Sequence, residues 1–96
     1  MKVTWSSEAE DALLDLVIRR NSLSAGSGER LSERIRERAN ELEQFPRLGR
    51  VVPEIGLLII RELIEPPYRI IYEVFPDRVE IVTIRHSAEL LAREDD

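Results

Sequence analysis

Near the C-terminal end of this 96-residue chain, three β-prone runs follow one another with connections too short for anything but hairpins. LLIIRELI (Leu57 to Ile64) is followed by Pro66 and Pro67, YRIIYEVF (Tyr68 to Phe75) by Pro76 and Asp77, and RVEIVTI (Val79 to Ile84) closes the series. Links of two or three residues cannot carry a crossover, so neighbouring strands must run antiparallel. A three-stranded meander cannot shield its own apolar face, and the rest of the chain has to supply the cover.

The first half does so in helical period. A short β-prone stretch, Lys2 to Trp5, ends at Ser6 and Ser7. Ser7 followed by Glu10 has capping-box spacing, and Ala9, Ala12, Leu13, Leu16 and Val17 recur on one helical face, which predicts a helix reaching about Asn21. The small residues SLSAGSG (Ser22 to Gly28) form an interhelix loop. Leu31, Ile35, Ala39 and Leu42 then mark a narrow stripe on a second helix through ERLSERIRERANELEQ. The charges between them, Glu33, Arg34, Glu37 and Arg38 among them, read as solvated side chains with weak i to i+4 pairing. Pro46 stops this helix, and Gly49, Pro53 and Gly56 predict a loop through Gly56. After the strands, Ser87 to Ala92 could form a short helix, and the chain should fray from about residue 93.

The predicted fold is therefore α+β: an N-terminal strand, a helical hairpin and a three-stranded antiparallel meander, with the helices on one face of the sheet. The other face is expected to be open, a place for a site or a partner. The length suits one domain spanning residues 1–96, and a hydrophobic fraction of 43% with 34% charged residues is that of a packed globular chain. No internal repeat or low-complexity segment interrupts it. No apolar run reaches the ~18 residues of a membrane-spanning helix, and the N-terminus MKVTWSSEAE lacks signal-peptide character, so a cytoplasmic protein is expected.

Composition also restricts the chemistry. With no cysteine, one histidine and no glycine-rich phosphate loop, the sequence has no disulfide framework, thiolate metal site, dinucleotide fingerprint or conventional catalytic triad, and neither cofactor nor metal is expected. The net charge is -5, and 13 of the 14 basic residues are arginine, which favours bidentate pairing over diffuse attraction to a polyanion. Residues 1–46 carry 7 basic and 9 acidic groups, residues 47–85 carry 6 and 6, and residues 86–96 carry 1 and 4. Strong nonspecific or sequence-specific DNA binding does not fit that map.

What remains is a polar set in or beside the strand half: Glu54, Arg61, Arg69, Arg85 and His86. Alternation along the middle strand puts Tyr68, Ile70, Tyr72 and Val74 on one face and Arg69, Ile71 and Glu73 on the other. Arg69 reads first as a cross-strand ion pair with Glu62 or Glu80, worth a few tenths of a kcal/mol to about 1 kcal/mol. His86 reads as a hydrogen-bonded structural residue whose near-neutral titration still suits acid–base work, and Trp5 and Tyr72 read as core.

In FPRLGRVVPE (Phe45 to Glu54), IREL (Ile60 to Leu63), PYRIIYEV (Pro67 to Val74) and VEIVTIRHS (Val79 to Ser87), the chain resembles the RelE/ParE superfamily of toxins from type II toxin–antitoxin modules. The likeness runs from Trp5 to Ser87 and implies the architecture just read from periodicity. It also implies a cognate antitoxin protein as partner.

Two mechanisms occur within that superfamily. RelE-like members are ribosome-dependent messenger RNA endoribonucleases, and the resemblance would make Arg69, Glu54, Arg85 and His86 the catalytic set. His86 is offset by about one residue from the matching histidine, and Leu90 and Leu91 stand where many such nucleases carry a tyrosine. ParE-like members resemble this chain in FPRLGR and in the Ile84-Arg85-His86 strand end, are described as inhibitors of DNA gyrase, and have no catalytic residues of their own. The acidic-to-neutral charge map favours the ParE-like branch over an enzyme that must approach RNA. Outside the superfamily, the alternative is a non-toxic protein-binding subunit.

Overall fold

The computed structural model describes residues 1–91. The order is β1 (Lys2–Trp5), α1 (Ser7–Leu23), α2 (Ser27–Asn40), a 3₁₀ turn (Glu41–Glu43), β2 (Arg50–Val51), β3 (Ile60–Glu65), β4 (Tyr68–Val74) and β5 (Arg78–His86). The strands form one five-stranded sheet in the order β1-β5-β4-β3-β2. The meander β3-β4-β5 is antiparallel as its short turns demand. The sheet as a whole is mixed, because β1 pairs in parallel with β5. Four residues carry no signal of direction. Their pairing is set by the start of α1, where the Ser6 N–H donates to Ile81 O (2.9 Å) and Ser6 Oγ to Val82 O (2.8 Å).

Ser6, and not the expected Ser7, caps α1: its backbone is extended and its Oγ accepts the Ala9 N–H at 3.0 Å. The helix runs two residues beyond Asn21, and the interhelix loop shrinks to Ser24, Ala25 and Gly26. Asn21 causes the difference. Its Oδ1 accepts the Gly28 N–H (2.8 Å) and its Nδ2 donates to Glu29 Oε1 (2.9 Å), so one side chain closes the hairpin and caps the start of α2.

At that crossing the two helices touch backbone to backbone. A Cβ on Gly28 would lie 2.4 Å from Val17 O and 2.9 Å from Asn21 Oδ1. Gly28→Ala therefore sets a helix-propensity gain of about 0.5–1 kcal/mol against the cost of prising the helices apart, about 1–3 kcal/mol. Because the obstacle is main chain and cannot rotate away, the second effect should win. A urea midpoint at or above that of the natural sequence would show that the hairpin opens without cost.

The core is the one the two periods imply. Leu13 and Leu16 of α1, and Leu31, Ile35, Ala39 and Leu42 of the second stripe, pack on Leu63, Tyr68, Ile70, Tyr72, Val79, Ile81 and Ile84, with Trp5 partly buried at the rim. Arg36 lies over the Trp5 ring at 4.7 Å and pairs with Glu10 at 2.9 Å. Arg34 and Arg38, expected to be solvated, also reach across to Glu65 of β3 (3.5 and 4.0 Å) and tether α2 to the sheet.

Shifted boundaries in three strands and one missed strand bear on the site. β3 begins at Ile60, because Leu57 to Ile59 form a turn that follows Gly56, whose φ is +75°. Those three apolar residues are exposed, Leu58 at 68%. β4 ends at Val74, one residue early, and β5 extends beyond both expected ends. Arg50 and Val51, read as loop, pair with Glu62 and Arg61 as the edge strand β2.

Between Ile71 and Tyr72 the register on β5 jumps from Thr83 to Ile81, leaving Val82 as a bulge. The bulge changes the phase of β5, so that Val79, Ile81 and Ile84 all face the helices. Thr83 and Arg85 then pair with Ile71 and Arg69 on the opposite face. Ser87 to Leu91 do not form the expected helix: the His86 N–H is taken by the Glu89 carboxylate (3.0 Å) and the Glu89 N–H by His86 O (2.9 Å), closing a turn. The predicted fraying lies outside the described residues. Among those described, no helix is long and apolar enough to cross a membrane.

Candidate functional site

The face of the sheet turned away from the helices is not open. Val52, Glu62, Arg69, Ile71 and Thr83 are all buried there, beneath the loop after β2 and the segment after β5. Its centre is Arg69 of β4, 4% exposed. Nε donates to Glu62 Oε1 (2.6 Å), Nη1 to Glu54 Oε2 (2.8 Å) and Nη2 to Glu54 Oε1 (2.9 Å), so Glu54 is held in a bidentate fork. Nη1 also donates to the carbonyl of Glu89 (2.7 Å). Glu62, 1% exposed, is fixed from its other side by Arg50 Nε at 2.5 Å.

The pairing expected with Glu62 is present, and Glu80 takes no part. The expected energy needs correction. A few tenths to about 1 kcal/mol applies to solvated pairs, whereas here a desolvated guanidinium lies between two carboxylates, and removing one member costs several times more. The Arg69 hydrogen bonds hold the Glu54 carboxyl at about pKa 2, against the opposing push of burial. The same contacts, Glu54 first, raise Arg69 further above its already basic value.

The other candidates divide. Arg61 lies on the helix side of β3 opposite Tyr72 and is structural, donating to Gly49 O (2.9 Å) and Leu58 O (3.0 Å). Arg85 pairs loosely with Glu8 and Glu89 (3.8 Å each), and its Nε is buried without a partner. His86 is exposed. Its Nδ1 accepts the Ala88 N–H (3.2 Å) and its ring meets Tyr68 edge-on. Glu54 and Arg69 are thus in direct contact, while Arg85 stands beside Arg69 as its cross-strand partner and His86 joins the cluster through the turn at Glu89.

Arg50 and Glu89 were not singled out from sequence. Arg50 could have been found only by recognising β2, and Glu89 reaches Arg69 through its carbonyl, which no side-chain pattern reveals.

A second feature lies between α1 and the end of β5. β1 ends at Trp5 opposite Ile81, so β5 continues past its last strand partner on that side. The groove there, about 610 Å³, is lined by acidic residues of α1 (Glu8, Asp11, Asp15) and by Arg19, Arg20, Arg85 and His86. Leu14 and Ile18, one helical turn apart, are exposed on α1. Such an edge with mixed charge suits a peptide partner better than a polyanion.

The family model described as ParE toxin of type II toxin-antitoxin system, parDE, matches residues 3–91. The chain is 35% identical over 89 residues to Toxin RelE2 of Caulobacter vibrioides, an alignment covering 91% of this chain and 93% of that protein. It also superposes on a solved structure described as the chromosomal ParDE TA system from P. aeruginosa, with a TM-score of 0.76 at 20% identity over 90% of this chain and 95% of that one, a likeness of fold. Helical hairpin, mixed sheet and kinship together define a toxin component of a type II toxin–antitoxin system. The chain belongs to the ParE toxin family.

Proposed function

We propose that this toxin acts in the cytoplasm by binding and poisoning DNA gyrase, with no chemistry of its own, and that a cognate antitoxin neutralises it. The observation that carries the reading is the closure of Arg69. Four of its five N–H groups are already committed to Glu54, Glu62 and the Glu89 carbonyl, and the guanidinium is buried. An arginine that stabilises a scissile phosphate must point donors at the developing charge. This one would first have to give up Glu54. The net charge of -5 supports the same choice. For the antitoxin, the support is apolar surface that the fold leaves bare, at Leu57, Leu58 and Ile59 and at Leu14 and Ile18.

The second reading, a ribosome-dependent messenger RNA endoribonuclease using Glu54, Arg69, Arg85 and His86, draws on the direct contact of Glu54 with Arg69. Induced expression with a DNA-damage reporter, beside translation and transcript-end mapping, separates the two. The expected outcome is a raised damage response, trapped gyrase–DNA complexes and uncut ribosome-bound transcripts. Codon-positioned cuts that disappear in a folded Glu54→Gln variant would replace the gyrase reading with the nuclease.

A further inference from the structure

We infer that Glu54 is the internal occupant of an oxyanion site built by Arg69 and the Leu91 backbone, a site that takes a small carboxylate or phosphate oxyanion once Glu54 is withdrawn. This does not depend on the gyrase reading. Three N–H groups from two separate parts of the chain converge on one carboxylate: Arg69 Nη1 at 2.8 Å, Arg69 Nη2 at 2.9 Å and the Leu91 amide at 3.0 Å. A planar fork with an added backbone donor is the arrangement by which proteins hold carboxylates and phosphates from outside.

The site would survive the loss of its occupant. Arg69 is anchored from behind, through Nε to Glu62 (2.6 Å), which Arg50 fixes in turn (2.5 Å), and through Nη1 to the Glu89 carbonyl (2.7 Å). Charges alternate along Arg50, Glu62, Arg69 and Glu54 and sum to zero. Without Glu54, one positive charge stays unbalanced on a side chain only 5% exposed, with its outward donors unsatisfied. An unpaired buried charge is among the costliest defects a fold can carry, and an anion from solution is its most direct repair.

Access exists as well. The Glu54 side chain is 19% exposed, at the mouth of the site. The loop that carries it turns at Gly56, where a Cβ would meet nothing within 4 Å, so the loop faces solvent on that side.

The test compares purified Glu54→Ala with the natural sequence in sodium chloride, sodium acetate and sodium phosphate at matched ionic strength and pH 7. Glu54→Ala should melt at a lower temperature in chloride. Its Tm should rise saturably with acetate or phosphate, by about 5–10 °C when the anion reaches ten times its dissociation constant. The Arg69 Nε–H resonance should move with the same midpoint, and the natural sequence should show neither response. If Glu54→Ala does not fold in chloride, refolding should occur in acetate or phosphate. An equal Tm rise in the natural sequence, no rise in a folded variant, a rise without movement of the Arg69 resonance, or failure to refold in any of the anions would each overturn the assignment.

Discussion

Arg69→Ala is expected to remove about 3–5 kcal/mol of folding stability, a large share of the 5–15 kcal/mol typical of a domain. The loss comes less from the contacts deleted than from what they leave behind. Glu62, 1% exposed, keeps only Arg50, whose own side chain is 63% exposed. Glu54 keeps only the Leu91 amide, and the Glu89 carbonyl loses its donor. Urea unfolding measures the change directly, and a loss below about 1 kcal/mol would mean that the cluster is solvated in solution. Removing the charges as a set should restore much of the stability, because well-packed apolar side chains replace a buried ion network at little cost.

The pH profile gives an independent check. Glu54's carboxyl lies at about 2 in the folded state and near 4.5 unfolded, so its stabilisation is complete above about pH 5 and is lost as pH falls from there toward 2. Glu54→Gln should flatten the acid limb of the stability curve in that window.

Tyr72→Ala should be at least as damaging. The side chain is fully buried in the helix-side core, and truncating such an aromatic costs about 3–5 kcal/mol. Its hydroxyl also accepts the Gly49 N–H at 2.8 Å, and stranding that amide adds about 1–3 kcal/mol. Gly49 is there to allow the approach: a Cβ would lie 2.8 Å from the Tyr72 ring and 2.4 Å from Glu62 O. Tyr72→Phe isolates the hydrogen bond and should cost about 1–3 kcal/mol, read from thermal or urea midpoints. If the two variants are equally stable, ring packing is not what holds the Gly49 turn to the sheet. Burial pushes the Tyr72 phenol up, so the stability of its neutral form is present below about pH 10 and lost as pH rises past that point.

The helical stripe Leu31, Ile35, Ala39 and Leu42, the last two strands, read at Tyr68–Phe75 and Val79–Ile84 and found with shifted ends, and the antiparallel meander were all legible in the amino-acid sequence. They depend on period and on turn length, which are local. For the same reason, the opposed faces of Tyr72 and Arg69 could be read from alternation alone. β2 could not, since two residues have no period, and neither could the parallel pairing of β1, which depends on Ser6 reaching Ile81 and Val82.

Only the tertiary structure decided what Arg69 is. The hairpin at Pro66 and Pro67 already places Glu62 near Arg69, but Glu54 and Glu89 lie on connections whose paths no pattern specifies, and the bulge at Val82 shifts the phase of β5 so that Thr83 and Arg85 share the Arg69 face. Once those segments meet, desolvation turns an ordinary cross-strand pair into a closed network. A charge's energy depends on how much water it keeps, and the identity of its neighbours in sequence leaves that undetermined.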